Sequence, residues 1–265
     1  MNIYKYELRA NYRSTLYWCI SILAMIVVFM YIYPSYSIHK DIVVKMLAGF
    51  PPQVLDVFGI DVDQLFSVPG FYVFIFLYIT LCGSIQSSML SITIMTKEQR
   101  MKTSDFLMTK PVSRSRIFLS KLSAILTLLC SSWILLMIAI FITVSNYTMI
   151  QSEVTDIMLI SATLLYVQLV FVAISCFIVS FMKRVKSVVN TSFAIVFSFF
   201  LVGVVDSFID KGLIQYITPF KLFDYQRILV NHSIDLTMVA YGIVMGLVMM
   251  LISYVIYKKK DIHMV

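Results

Sequence analysis

Residues 71–95 read FYVFIFLYITLCGSIQSSMLSITIM, a run with no charged side chain. At 1.5 Å per residue a helix of this length covers about 37 Å, more than the ~30 Å hydrocarbon layer of a bilayer. The run does not alternate, and it is far longer than the ~10 residues a barrel strand needs. Lipid offers the backbone no hydrogen-bond partners, so a segment that stays inside it must satisfy its own, as a helix does. The rest of the chain agrees. Of 265 residues 60% are hydrophobic and 13% charged, against about 45–50% and about 25% in an average soluble domain. A water-soluble domain of this size could not cover itself with so few polar groups.

Working outward, five more segments are long and apolar enough to cross: Thr15–Tyr33, Leu122–Ser145, Thr155–Met182, Val188–Ile209 and Thr237–Tyr257. Each is free of Lys and Arg in its interior. With Phe71–Met95 they make six spans in an all-α, polytopic membrane protein, a single transmembrane domain over residues 1–265. The basic start (Lys5, Arg9, Arg13) ahead of an apolar run looks like a signal peptide. The run is too long for one and no small-residue cleavage site follows, so the first span is read as retained. In Ile3–Ser14 (IYKYELRANYRS), Tyr4, Leu8 and Tyr12 share one side at helical spacing, which predicts an interfacial helix.

Charge sets the expected orientation. With the N terminus inside, residues 1–14, 96–121, 183–187 and 258–265 are cytoplasmic and hold 16 of the 21 Lys and Arg. The outer side, with its helix ends, holds ten of the fourteen Asp and Glu. That asymmetry follows the positive-inside rule and puts both termini in the cytoplasm, with the protein in the cell membrane. The basic excess therefore needs no nucleic acid, and anionic lipid heads suit it. Among the outer connections, His39–Phe50 (HKDIVVKMLAGF) predicts a short amphipathic helix stopped by Gly49 and Pro51. Asp206 and Asp210 fall at the outer end of the fifth span and read as interfacial.

The connection that follows the opening run, TKEQRMKTSDFLMTKPVSRSRIFLSK over residues 96–121, gathers seven Lys and Arg. Glu98–Thr109 is compatible with a short helix that Pro111 ends, because proline disfavours a helical conformation at Lys110. Ser113 then caps a new helix that runs into the third span. Thr103, Phe106, Leu107 and Lys110 share one face of the short helix, with two large apolar groups and a cation together. Such a face suits a partner's groove. It equally suits a topology-setting loop whose Phe106 and Leu107 pack on the protein's own helices.

The pattern Glu98-x-Arg100, Thr103, Phe106-Leu107, Lys110-Pro111-Val112-Ser113-Arg114, then Lys121 opening a span, resembles the first cytoplasmic connection of type 2 ABC exporter permeases. Lys102 stands where that family often has Gly. The resemblance implies that the stretch is a coupling helix docking on a separate ATP-hydrolysing subunit, with Glu98, Arg100, Thr103, Phe106, Leu107, Lys110, Pro111 and Arg114 at the contact. It also implies pairing with a second permease subunit, identical or related. Phe50-Pro51-Pro52-Gln53 and Thr218-Pro219-Phe220 resemble outer-loop features of the same family, whose last outer loop often holds short re-entrant helices.

No G-x-x-x-x-G-K-[ST] occurs, so no phosphate-cradling loop is expected on this chain. ATP and Mg would belong to the partner, and no cofactor, metal or catalytic residue is expected here. Cys19, Cys82, Cys130 and Cys176 lie in apolar runs without CxxC spacing and read as buried, inert thiols. His39, His232 and His263 read as ordinary surface residues. In the second span Ser84, Ser87, Ser88 and Ser91 form one polar stripe. It is a candidate translocation path or subunit seam, or else a close-packing face. Gly242-x-x-x-Gly246 reads as a packing motif, and Gln168 and Asn190 as polar groups that must face protein or water. The reading is the permease subunit of an ATP-driven exporter of amphiphilic or hydrophobic cargo. A non-pumping sensor or immunity component sharing the fold is the alternative. An intramembrane enzyme would need a buried acid–base or metal constellation, which the sequence does not spell.

Overall fold

The computed structural model describes residues 3–101, 113–147, 149–209 and 216–259. Its elements are α1 (Ile3–Ile38), α2 (Lys40–Leu47), α3 (Pro52–Val57), α4 (Val68–Met95), α5 (Lys97–Met101), α6 (Arg114–Val144), α7 (Gln151–Phe181), α8 (Val188–Ile209), a 3₁₀ turn Pro219–Lys221, α9 (Tyr225–Asn231) and α10 (Leu236–Lys259). Six of these, α1, α4, α6, α7, α8 and α10, are long and apolar enough to cross a membrane. An even number of crossings puts residues 3 and 259 on one face, called here the terminal face. The other is the distal face.

Helix ends follow the expected chemistry. Ser67 caps α4, its hydroxyl accepting from the Gly70 N–H at 3.1 Å, and Pro69 sits in the first turn where no N–H is needed. Ser113 caps α6 by accepting from the Arg116 N–H, as its place after Pro111 predicts. The amphipathic stretch after His39 forms α2 and ends before Gly49 and Pro51.

The first span differs from its expected outline. Instead of a separate interfacial helix, α1 runs unbroken for 36 residues, about 54 Å. Its first turns do not simply run alongside α6. Tyr4 and Cys19 are fifteen residues apart on α1, yet their partners Thr127 and Ser132 are only five apart on α6. The start of α1 therefore crosses α6 at a slant. Near its other end α1 contains Pro34, which has no N–H to give the Met30 carbonyl one turn back. The Tyr147 hydroxyl, just beyond α6, donates to that same carbonyl. Met30 is fully buried, so water cannot do this job.

Helices α4 and α7 form the centre, with 67% and 61% of their most apolar windows buried, against 11% for α10. Tyr72 and Ser161 share a hydrogen bond of 2.7 Å, Gln168 donates to Gln86 at 3.3 Å, and Ser175 donates to Ser88 at 2.9 Å. These polar rungs run the length of the α4–α7 seam. Gly83 permits the close approach, since a Cβ there would lie 2.8 Å from Leu164.

Between α8 and α10 the chain turns back into the bundle. The Thr218 hydroxyl donates to the Phe199 carbonyl at 2.8 Å, and Phe199 lies ten residues, about 15 Å, short of the last residue of α8. Phe220 packs on Phe171 and Phe200, Phe223 on Tyr166, and Tyr225 edge-on against Phe76. Residues 218–231 are thus wedged among α4, α7 and α8 as a re-entrant turn.

Candidate functional site

The terminal face gathers charge where α1, α4, α5 and α6 meet. Thr96 breaks the helix between α4 and α5, its hydroxyl donating back to the Ile92 carbonyl at 2.7 Å. The next two residues carry opposite charges and reach different neighbours. Lys97 donates to both carboxylate oxygens of Glu7 on α1, at 3.1 and 3.2 Å, and lies over the Tyr6 ring, 4.2 Å from its centroid. Glu7 is 2% exposed, and the Asn11 amide donates to it at 3.2 Å. Glu98 pairs with Lys121 on α6. Lys121 is 0% exposed and also donates to the Ile94 carbonyl, at 2.8 Å.

A charge this deep is stable only when paired and hydrogen-bonded, because desolvation alone costs several kcal/mol per ion. Both pairs meet that condition, and together the four side chains carry no net charge. The local sequence makes the arrangement possible. Neighbouring residues on a helix point ~100° apart, so Lys97 and Glu98 cannot serve one partner. Lys121 sits two turns into α6 because Ser113 starts that helix early.

Of the residues assigned to partner docking, Glu98 turns inward onto Lys121. The Arg100 guanidinium donates to the Thr93 carbonyl at 3.2 Å, folding α5 back on α4. Arg114, at the first turn of α6, donates to the Lys258 carbonyl at 3.2 Å and so reaches the end of α10. Thr103, Phe106, Leu107, Lys110 and Pro111 lie outside the described residues, which resume at Ser113. Asp210 and His263 lie outside them as well.

The serine stripe is interior. Ser84, Ser87, Ser88 and Ser91 are each 0% exposed and lie on the seam of this single chain. Three return their hydroxyls to α4 itself: Ser84 to Thr80, Ser87 to Ser84 and Ser91 to Ser87. Ser88 accepts from Ser175 on α7. Gln168 is buried against Gln86 and Gly83, so it faces protein, whereas Asn190 is exposed at the start of α8. Gly242 is a packing position, as its spacing with Gly246 suggests: a Cβ there would meet the Tyr166 hydroxyl at 2.1 Å.

Three features were not legible beforehand. Glu7 and Lys121 are buried ion-pair members rather than topology charges. Lys121 carried a usable signal, an ionisable group at the edge of an apolar run that must name a partner. His232, read as an ordinary surface residue, is exposed and also pairs with the buried Asp156 at 2.8 Å, fastening the end of α9 to α7. It adopts a left-handed conformation, φ 51°, closing α9. Cys130 is exposed and Cys82 only part-buried, whereas Cys19 and Cys176 are buried as expected, and all four cysteines are free. Among the described residues no cluster of His, Cys, Asp and Glu could hold a metal ion.

Six apolar helices, four of them around a polar-runged central pair, define a multi-pass membrane protein of the all-helical class. Residues 1–262 match the model of the ABC-2 family transporter proteins, and the chain belongs to that family. It is thus a transmembrane transport component, of a family whose members in general associate with ABC ATPase subunits. No curated protein and no solved structure matches the chain.

Proposed function

We propose that this chain is the permease subunit of an ATP-driven exporter in the cell membrane. Two permease subunits, identical or related, form the membrane part, and two ATPase subunits attach from the cytoplasm, where they bind ATP and Mg. The terminal face is the cytoplasmic one. The connection between α4 and α6 is the coupling helix, with Thr103, Phe106, Leu107, Lys110 and Pro111 docking on the ATPase and Arg100 and Arg114 flanking them. Closure of the ATPase pair on ATP rocks the two membrane halves, and an amphiphilic or hydrophobic cargo leaves outward between them.

The observation that supports this reading most directly is the placement of charge. Residues 96–121, with seven Lys and Arg, make up the α4–α6 connection and the start of α6, on the face that also carries residues 3 and 259. That is the side the positive-inside rule assigns to the cytoplasm, and a family member needs a cytoplasmic contact there to receive work from an ATPase.

Purification of the tagged chain from native membranes tests the reading. An ATPase chain should accompany it and hydrolyse Mg-ATP. The double substitution Phe106→Ala and Leu107→Ala should release that chain while the permease still elutes as a folded species. Retention of the ATPase by the double variant, or an extracellular signal from a reporter inserted within 102–112, would overturn it.

A further inference from the structure

We infer that Lys97 and Glu98 are positioning residues that hand any displacement of α5 to two separate spans, α1 through Glu7 and α6 through Lys121. The inference rests on the coupling role proposed above for the connection that α5 begins.

The geometry is specific to this task. Helix α5 is five residues long and leads directly into residues 102–112. Its tie to α4 runs through the Arg100 N–H to the Thr96 carbonyl at 3.0 Å and the Arg100 side chain to Thr93. With that tie alone, motion of the connection would bend the Thr96 joint and be lost. Lys97 and Glu98 prevent this by gripping helices on either side. Apolar contacts hold by shape and set no particular partner, because dispersion and burial are not directional. An ion pair with one buried member resists parting, since separation leaves that member, Glu7 or Lys121, without solvent or partner. Each pair therefore behaves as a link of fixed length.

The sign pattern adds selectivity. The order Glu7, Lys97, Glu98, Lys121 alternates, so exchanging partners would set Lys97 against Lys121 and Glu98 against Glu7. Like-charge contact at this depth forbids that exchange. Asn11 holds the Glu7 carboxylate in place, and the Ile94 carbonyl holds the Lys121 ammonium, so each far end is anchored beyond its pair. A pair present only for stability would not require adjacent residues of α5 to reach two different spans.

The test uses the permease–ATPase complex with its native chain and follows backbone hydrogen exchange with no nucleotide and with Mg-ATP plus vanadate. In the wild type, nucleotide should change exchange in peptides covering 3–14 and in those covering 113–121. Lys97→Met should abolish the nucleotide response at 3–14 and keep it at 113–121. Glu98→Gln should do the reverse. Lys97→Arg should restore the wild-type pattern. If Lys97→Met does not fold, Glu7→Gln carries the same expectation, because Lys97 can then turn to water. Responses kept at both sites in both variants, or lost at both sites in either, would overturn the inference. If no ATPase accompanies the wild type, the proposed function fails first, and this inference falls with it.

Discussion

The Pro34–Tyr147 arrangement makes a quantitative prediction. Proline leaves the Met30 carbonyl without its helical partner, and the Tyr147 hydroxyl supplies the missing donor. Tyr147→Phe removes that donor and keeps the ring, which also packs edge-on against Tyr33 with centroids 6.2 Å apart. Ring packing is thus nearly unchanged, and the cost is that of a buried, unsatisfied carbonyl, about 1–3 kcal/mol. For a domain of this size ~2 kcal/mol corresponds to a fall of about 4–8 °C in Tm. Pro34→Ala returns an N–H to position 34. Tyr147→Phe should then be nearly silent when combined with Pro34→Ala, because the helix satisfies Met30 itself. The four proteins can be compared in one detergent by thermal unfolding, read by loss of the monodisperse gel-filtration peak. An equal penalty for Tyr147→Phe in both backgrounds would refute the reasoning, since the hydroxyl would then be serving something other than the carbonyl orphaned by proline.

Other positions yield shorter expectations. Gly242→Ala should destabilise by about 2–3 kcal/mol, because its Cβ must displace the Tyr166 hydroxyl 2.1 Å away from its bond to the Val239 carbonyl. Adding Tyr166→Phe should recover part of that loss in the same thermal assay. Lys121→Met alone should cost about 3–5 kcal/mol by stranding Glu98 and the Ile94 carbonyl, while the double variant Lys121→Met with Glu98→Met should fall closer to wild type. Gly70→Ala should prevent proper formation of the first turn of α4, as its Cβ would lie 2.1 Å from the Gln64 carbonyl oxygen. Loss of the folded gel-filtration peak would show it. Asp235 accepts from the Thr237 hydroxyl and N–H at 2.6 and 2.9 Å, bonds that hold its carboxyl below the usual carboxylate range. This stabilisation is present above the unfolded-state pKa near 4 and is lost as pH falls through the lower folded value. Hydrogen exchange at the first turn of α10 should therefore accelerate in that acidic window, and Asp235→Ala should abolish the pH dependence.

Sequence alone was enough for the six spans, because lipid imposes a length and a polarity that local composition must meet. It was also enough for Ser113 as a cap and for Gly242 as a close-packing position, both local signals. The buried charges were legible only in part. Glu7 and Lys97 are 90 positions apart, Asp156 and His232 are 76, and Met30 and Tyr147 are 117. Such pairs depend on how each helix is rotated about its axis and how far it slides past its neighbour. An apolar run of Leu, Ile and Phe does not encode that rotation when nearly every side is hydrophobic. The first residues of α1 show the same limit: the amphipathic pattern marks a face, but the slant across α6 follows from tertiary contacts at Tyr4 and Cys19.

The serine stripe on α4 shows how a polar row can be built into a hydrophobic bundle with its hydroxyls bonded inside the protein. In lipid, helices gain little from burying apolar surface against one another, so cohesion comes from close approach and from hydrogen bonds. Serine supplies both. Its small side chain brings α4 within reach of α7, and its hydroxyl can return to a carbonyl three or four residues back, as at Ser84, Ser87 and Ser91. Only Ser88 spends its oxygen across the seam. Enlarging Ser88 to Leu would therefore separate the helices and strand the Ser175 hydroxyl. Ser84→Ala would remove only a bond internal to α4. The two central helices are consequently held by shape along their whole length, and α4 alone meets α1, α6, α7 and α8. Any motion delivered to α4 must carry α7 with it, and α10, though scarcely buried, is gripped by α7 at Gly242 and Ser253 and is tied to the same motion.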